Sequence, residues 1–221
     1  MKGKGFWKWT LRIIVMIIAM GLVVGGWMAT FDWLRGDSQE VDHTRDVYVH
    51  RLESKFDAAR EALAVEVDKY IKTVAPKASV DALNMIDLCS QYNVDLRLVL
   101  VQGHLESHFA TKGTAARTYS IFNVGAYDGH SAKRQIKNGF GYTHPDYSVE
   151  PYLKLLVNDY LVDGVTELDL IQKYVNKEGK RYASSTTYEA QLRDLWNKID
   201  TVADITNTYE TYLMYKLQLG R

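Results

Sequence analysis

The sequence has little cysteine and no excess of charge of either sign. Cys89 is the single cysteine among 221 residues, so no internal disulfide can form and the fold must rest on its hydrophobic core. The 27 basic and 27 acidic side chains cancel, whereas nucleic-acid-binding domains usually carry a basic excess. With 47% hydrophobic and 12% aromatic residues, the chain is neither disordered nor fibrous. We therefore expect a folded protein that does not bind nucleic acid.

The charges are distributed unevenly along the chain. Residues 1–12 carry four basic side chains and no acidic one, which leaves the rest with four more acidic than basic residues. Residues 13–31 contain no charge, and a helix needs roughly 20 apolar residues to cross the hydrocarbon layer. This pattern predicts a cytoplasmic basic tip over residues 1–12, a membrane anchor over 13–31 that contacts lipid, and an exported C-terminal part.

Two other interpretations of the apolar run compete with an anchor. A cleaved signal peptide has the same polarity, and cleavage after Gly26 is conceivable, but no Ala-x-Ala-like site is present and the run exceeds a usual signal core. A buried core helix conflicts with the cations directly before the run. We expect a single-pass membrane protein whose main domain lies on the periplasmic or cell-wall side.

Residues 38–75 are predicted to form one long amphipathic helix. Ser38 can cap its start, and no glycine or proline interrupts it before Pro76. Apolar residues recur at steps of three and four in an eleven-residue period, which keeps one stripe on one face. The helix could hold the next domain clear of the bilayer or fold back over it, and amphipathicity alone does not choose between them.

A mainly helical domain is predicted over residues 76–200, followed by a C-terminal amphipathic helix over 201–221. Glycine, threonine, serine and tyrosine are frequent over 110–147 without a helical period, which indicates a small loop or β-hairpin lobe. Hydrophobic periods and caps predict helices over 79–92, 96–107, 148–162, 166–176 and 187–199.

Glu106 stands at the end of the helix predicted over 96–107, which is otherwise hydrophobic. A helix C-terminus disfavours an anion, and burial among apolar groups raises a carboxyl pKa. A carboxylic acid that stays protonated near neutral pH is what a general acid for glycoside cleavage requires. Chain position alone would favour a solvated residue at a helix end, because most charged residues there are solvated.

Further segments follow Glu106 in the order of a known family. The order is Leu105-Glu-Ser107, then Ser120-Ile-Phe-Asn-Val-Gly-Ala126, then Tyr147-Ser-Val-Glu150, then Arg181-Tyr-Ala-Ser-Ser-Thr-Thr-Tyr188. Together they resemble the glucosaminidase family of bacterial cell-wall hydrolases, in the lysozyme-like superfamily, which includes flagellar and autolysin members. The resemblance implies a lysozyme-like fold and peptidoglycan glycan strands as the partner, and we expect no cofactor.

The resemblance also implies roles for individual residues. The family's glutamate is the general acid, which implies that role for Glu106, and the first tyrosine of the last motif sits in the active site, which makes Tyr182 a catalytic candidate. Aromatic and polar side chains near these motifs could stack on sugars or donate hydrogen bonds, although ordinary packing would explain the aromatic ones equally. The substrate-binding candidates are Ser107, Tyr119, Phe122, Asn123, Tyr127 and Tyr188.

The chain departs from the family pattern at several positions. The family's Phe-Gly-x-Lys becomes Phe122-Asn-Val-Gly125, so its usual lysine is absent, Ser185 replaces an aspartate, and Pro151 stands where some members have aspartate. The second carboxylate of the reaction is therefore open.

Three carboxylates could act beside Glu106: Asp128, Asp146 and Glu150. We favour Asp128 as the further catalytic residue, with Glu150 as the next choice, because glycines around Asp128 would let the loop approach a sugar closely. A separation from the acid of about 5 Å predicts retention and about 6.5–9.5 Å predicts inversion. The substrate's own acetamido group could also serve as the nucleophile.

A metal site is a further possibility at His104 and His108, which stand four apart on one predicted helix. The metalloprotease pattern needs glutamate directly after the first histidine, where this chain has Leu105. We therefore predict no metal.

The sequence as a whole predicts a membrane-anchored peptidoglycan hydrolase that cleaves the β-1,4 bond between amino sugars, as an N-acetylglucosaminidase. A muramidase or lytic transglycosylase on the same scaffold is the nearest alternative, and a non-catalytic wall-binding or assembly protein is the alternative from another class. Bacterial and viral origin, the latter as a virion component, both fit, and the oligomeric state is not predicted.

Overall fold

The computed structural model describes residues 45–124 and 141–221. The chain divides between Glu53 and Ser54 into two compact units, and residues 45–53 of the first unit are helical. The predicted basic tip, the membrane anchor and the start of the long helix lie outside the described residues. Within the two described ranges, no helix is both long and apolar enough to cross a bilayer.

The second unit, Ser54–Arg221, is mainly helical, as the sequence predicts. Short 3-10 turns cover Pro145–Ser148 and Ile199–Thr201, and a π turn covers Leu156–Tyr160. Between the described residues the β-pairing consists of one isolated antiparallel bridge, from Val175 to Arg181. The α-helices among its described residues are α1 (54–74), α2 (Ala82–Tyr92), α3 (Leu96–Ser107), α4 (Ala115–Thr118), α5 (Val149–Leu155), α6 (Glu167–Leu170), α7 (Tyr188–Lys198) and α8 (Ile205–Gln218).

Helix α3 lies at the centre of this unit. Its first five apolar side chains, over 96–101, are fully buried, as expected for a helix that is apolar nearly all round. The Asp95 carboxylate accepts a hydrogen bond from the Arg97 N–H and so caps the start. At the other end, residues 108–110 have φ values of 49°, 53° and 62° in succession, which turns the chain sharply after Ser107.

Helix α1 packs on the domain. Its side chains at Leu63, Val67 and Ile71 are fully buried and belong to the same hydrophobic cluster as α3. Their spacing of four residues places them along one face, and most of the remaining positions are exposed. For residues 54–74, the structure therefore shows the arrangement in which the helix covers the domain.

The helix predicted over 166–176 is wrong beyond Leu170. The chain turns back at Asn176, whose side-chain oxygen accepts hydrogen bonds from the N–H groups of Glu178 at 3.0 Å and Lys180 at 2.8 Å. Gly179 supplies the φ of +76° that the turn requires. These hydrogen bonds and the glycine stabilise a turn at this point, so the helix does not continue although the apolar residues keep a helical period.

The predicted loop lobe is described over residues 110–124 and 141–147 only. These residues form α4, several turns and most of the 3-10 turn that precedes α5, and they contain no strand. The backbone N–H of Tyr142 donates a 2.8 Å hydrogen bond to the carbonyl of Thr118, which joins the two described pieces.

Candidate active site

The Glu106 carboxylate lies at the C-terminal end of α3 and has a specific partner at each oxygen. The Tyr188 hydroxyl, at the start of α7, donates to Oε1 at 2.6 Å. The Asn123 side-chain amide donates to Oε2 at 3.3 Å and to the Glu106 backbone carbonyl at 3.2 Å. Two segments that are distant in the sequence thus meet at one carboxyl group.

Burial raises the pKa of Glu106 above its ordinary value, while the hydrogen bonds from Tyr188 and Asn123 oppose this rise. No charged group among the described residues contributes to this shift. The carboxyl group therefore holds its proton to a higher pH than a solvated glutamate does, which is the direction expected from its position in the sequence. A carboxylic acid in this state can donate a proton.

The loop that presents Asn123 is fastened to the core on both sides. The buried Ser107 hydroxyl donates to the Ile121 carbonyl at 2.7 Å, and the Ile121 N–H donates to the Ser148 hydroxyl at 3.0 Å. Asn123 itself has a φ of 51°, a left-handed conformation that asparagine tolerates better than most residues. These contacts hold the amide of Asn123 beside the Glu106 carboxylate.

The motif around Tyr182 and Tyr188 forms an aromatic cluster next to Glu106. Their rings are stacked with centroids 5.8 Å apart, and the ring of Tyr174 lies 4.9 Å from that of Tyr182. The Tyr182 N–H donates to the Tyr174 carbonyl at 3.0 Å, so the turn after α6 places these two side by side. Glu189 connects this turn to α7, because its carboxylate accepts from the Tyr174 N–H at 3.3 Å and from Arg181 at 2.6 Å.

Several predicted site residues do not contact the Glu106 group in the structure. The Ser107 hydroxyl is engaged by the loop, and the Phe122 ring stacks on Tyr152 in the core with centroids 3.8 Å apart. Tyr119 is 41% exposed. Direct contact of these three with sugar stays a prediction.

The carboxylates considered for the second catalytic role have other partners or are not described. Glu150 accepts a hydrogen bond from the Tyr92 hydroxyl at 2.7 Å and pairs with Lys154 at 2.9 Å. The Asp146 carboxylate accepts from the Asp81 N–H at 2.9 Å. Asp128 lies outside the described residues, as does the substrate-binding candidate Tyr127, and both stay predictions.

Sequence reasoning missed Gln102, Tyr152 and Tyr174. All three are buried, and the hydroxyls of both tyrosines donate to the Gln102 side-chain oxygen. The available signal was a lone amide in an apolar helix, four residues before Glu106 and therefore on the same face.

His104 and His108 lie on α3 with ring centroids 4.9 Å apart. Burial, then the nearby His108 and Lys112, lower the pKa of His104 to about 4, so its ring is neutral at neutral pH. Its Nδ1 lies 3.0 Å from the Tyr70 hydroxyl. In the described part of the chain, no three histidine, cysteine, aspartate or glutamate side chains are grouped so that they could hold a metal ion.

Residues 82–201 match the sequence model of a family described as glucosaminidase, mannosyl-glycoprotein endo-beta-N-acetylglucosaminidase. The match covers just over half of the chain. The chain belongs to the glucosaminidase family. The resemblance inferred from the motifs is thereby confirmed, and the glucosaminidase domain contains Glu106, Asn123 and Tyr188. No curated protein and no solved structure matches the chain. Membership supports glycoside hydrolase activity and implies peptidoglycan as the substrate.

Proposed function

We propose that this chain hydrolyses the β-1,4 glycosidic bond between amino sugars of peptidoglycan, as a lysozyme-like N-acetylglucosaminidase with Glu106 as the general acid. The observation that carries the proposal is the Glu106 carboxyl group itself, which is buried enough for its pKa to rise and is held in place by Tyr188 and Asn123. It lies in a domain of a glycosidase family.

The two hydrogen bonds to the carboxylate suit the chemistry of proton donation. As the glycosidic oxygen takes the proton, an oxocarbenium-like centre develops on the sugar and negative charge develops on Glu106. The Tyr188 hydroxyl and the Asn123 amide both donate to this group, so they stabilise the charge that the reaction creates. Burial favours the protonated reactant, and the donors favour the ionised product.

The second participant in the reaction is proposed from the sequence. Asp128 is the favoured carboxylate, since Glu150 is already bound by Tyr92 and Lys154. The acetamido group of the substrate is the other candidate nucleophile. Asp128→Asn separates these two, because it should abolish turnover if the carboxylate acts and leave most of it if the acetamido group acts. The configuration of the new reducing end, measured by NMR early in the reaction, distinguishes retention from inversion.

We also propose that residues 13–31 anchor the protein and that the glucosaminidase domain acts on the exported side of the membrane. An uncharged run that follows a basic tip supports this topology. A reporter enzyme fused after Asp37 tests it. Activity of an export-dependent reporter is expected, and activity only of a cytoplasm-dependent reporter would refute the topology.

The function is tested with the full chain in mild detergent. The wild type should clear a gel that contains peptidoglycan, and Glu106→Gln should lose about 10²–10⁴-fold of the rate, the usual contribution of a general acid. Glu210→Gln, a matched change at an exposed glutamate of α8, should leave the rate unchanged. Clearing by Glu106→Gln at the wild-type rate would overturn the assignment of the acid. No clearing by the wild type would favour a wall-binding protein.

Mass spectrometry of the products identifies the bond. Reducing ends of N-acetylglucosamine are expected. Reducing ends of N-acetylmuramic acid would indicate a muramidase, and anhydro ends would indicate a lytic transglycosylase.

A further inference from the structure

The hydrogen bonds behind Tyr188 lead to a buried amide, that of Gln102. This side chain is fully buried on α3, one turn before Glu106. Its Nε2 donates to the Tyr188 hydroxyl at 2.9 Å. Its Oε1 accepts hydrogen bonds from the hydroxyls of Tyr152 and Tyr174, the latter at 2.7 Å.

The two tyrosine donors determine which way the amide faces. When Oε1 faces Tyr152 and Tyr174, both phenol protons have an acceptor. If the amide were turned over, its N–H groups would face two phenol oxygens, and the described residues would offer these phenols no acceptor except each other, at 3.4 Å. Buried donors are almost always satisfied in folded proteins, so the orientation with Nε2 toward Tyr188 is favoured.

This orientation fixes the direction of the next hydrogen bond. The Tyr188 oxygen accepts from Gln102, and a phenol has one proton, so that proton is directed to Glu106 Oε1. Oε1 thus receives a donor at 2.6 Å and is the less suitable oxygen to carry the acid proton. Oε2 has only the longer contact, 3.3 Å, from Asn123.

We propose that Gln102 is a positioning residue of the glycosidase reaction, which directs the Tyr188 proton to Oε1 and thereby places the acid proton of Glu106 on Oε2. Gln102 acts through Tyr188. The inference rests on the proposed role of Glu106 as general acid. We call the residues involved the hydrogen-bond chain: Tyr152, Tyr174, Gln102, Tyr188 and Glu106.

Glu106 titrates without charged neighbours among the described residues. The ionisable groups that face it from the packed elements are the phenols of Tyr174, Tyr182 and Tyr188, whose pKa values are raised by burial and further by this carboxylate. These phenols stay neutral over the range in which Glu106 titrates. A change in its titration therefore reports on hydrogen bonds rather than on a second charge.

The first test replaces the amide and keeps the length of the side chain. The full chain in mild detergent, labelled with ¹³C at glutamate carboxyl carbons, gives the Glu106 titration by NMR, assigned by its absence in Glu106→Gln. In Gln102→Met the Tyr188 oxygen no longer accepts a hydrogen bond from the amide, which weakens the donation of the Tyr188 proton to Glu106, so the titration should move up by at least about half a pH unit. The alkaline limit of kcat/KM should move with it, and kcat should fall about tenfold. Leu100→Met, an equally buried change on α3, should move neither.

The second test uses the two donors that orient the amide. Tyr152→Phe and Tyr174→Phe each leave one donor to Oε1, whereas the double variant leaves none and frees the amide to turn. The double variant should shift the Glu106 titration as Gln102→Met does, and each single variant should give less than about a third of that shift. Shifts of the single variants that add up to the double shift would indicate general loosening and would overturn the proposal.

These outcomes separate the two proposals. Wild-type cleavage of peptidoglycan with an unmoved titration in Gln102→Met and in the double variant would overturn the role of Gln102 and leave the function intact. The predicted titration shifts in a wild type that cleaves nothing would overturn the function, and with it the catalytic use of the hydrogen-bond chain.

Discussion

The Tyr182 hydroxyl donates a 2.7 Å hydrogen bond to the backbone carbonyl of Phe122. The bond joins the aromatic cluster, to which the Arg181–Tyr188 motif contributes Tyr182 and Tyr188, to the turn that presents Asn123, which belongs to the Ser120–Ala126 motif. Since Asn123 then contacts Glu106, from the first motif, three separate parts of the sequence converge on one carboxyl group.

Removing the Tyr188 hydroxyl should raise the pKa of Glu106, because this donor stabilises the ionised form. A general acid works in its protonated form, so activity is lost as pH rises through its pKa. In Tyr188→Phe the alkaline limit of activity should therefore move to higher pH by about one unit, and kcat should fall about tenfold. A pH profile of peptidoglycan hydrolysis measures both. Tyr147→Phe, at a tyrosine that is 64% exposed, is the control, and a limit that moves to lower pH would contradict the expectation.

Two substitutions of Asn123 should distinguish the effect of its hydrogen bond to Glu106 from the effect of its backbone conformation. Asn123→Gly keeps the φ of 51° without strain and removes the amide, whereas Asn123→Ala removes the amide and adds strain. Both variants should lose about tenfold in kcat, since each removes one hydrogen bond to a charged group. Only the alanine variant should lose a further ~1 kcal/mol of unfolding free energy, measured by urea denaturation. Full activity of Asn123→Gly would show that the amide is dispensable.

Acid should destabilise the domain through His104. Its folded pKa of about 4 lies below the ordinary value of 6.5, mainly because of burial. The unfolded chain therefore binds a proton first, and the stability that His104 contributes above pH 6.5 is lost as pH falls toward 4. After allowance for solvent screening of a half-buried ring, the loss is about 1–2 kcal/mol. His104→Gln should flatten the fall of Tm over this range, and a slope equal to that of the wild type would contradict the prediction.

A methyl group at Gly103 should displace the loop that follows α3. A Cβ there would stand 3.0 Å from the Phe109 ring and 3.1 Å from Ile121, both fully buried. Gly103→Ala should therefore cost about 1–3 kcal/mol of stability, as overpacking does, and should lower activity because Ile121 leads to Asn123. Gly164→Ala is the comparison. Alanine at its φ of +81° should cost about 1 kcal/mol of stability through backbone strain, while the added Cβ has no neighbouring atom within 4 Å. Equal activity of Gly103→Ala and wild type would show that the loop tolerates the shift.

The sequence was informative where a local pattern decides the structure. The apolar run before Glu106 predicted the central helix, and the structure buries it as expected. The segment after Leu170 was misassigned because its apolar residues have a helical period, while the hydrogen bonds of Asn176 that reverse the chain act over only a few residues. The amphipathic pattern predicted that α1 is a helix, but it did not predict that the apolar face of α1 packs against the domain.

The site was predictable as a set of motifs and not as a network. Motif order led to Glu106, Asn123 and Tyr188, which the structure brings together. Gln102 was missed because its partners lie far along the chain, Tyr152 at a separation of 50 residues and Tyr188 at 86. A periodic pattern within one helix does not predict contacts over such separations. The folded core shows that the amide in this apolar helix binds three tyrosine hydroxyls.

The hydrogen bond between Glu106 and Tyr188 spans 82 residues of sequence. A chain that has been synthesised only as far as Thr187 already contains the glutamate but not this donor, and α7 and α8 are still absent. The hydrogen bond that holds the Glu106 carboxylate can therefore form only after the start of α7 has been synthesised. Hydrolytic activity should thus rise when the C-terminal helices have been completed and have docked, and products that end before α7 should be less active than the full chain although they contain Glu106.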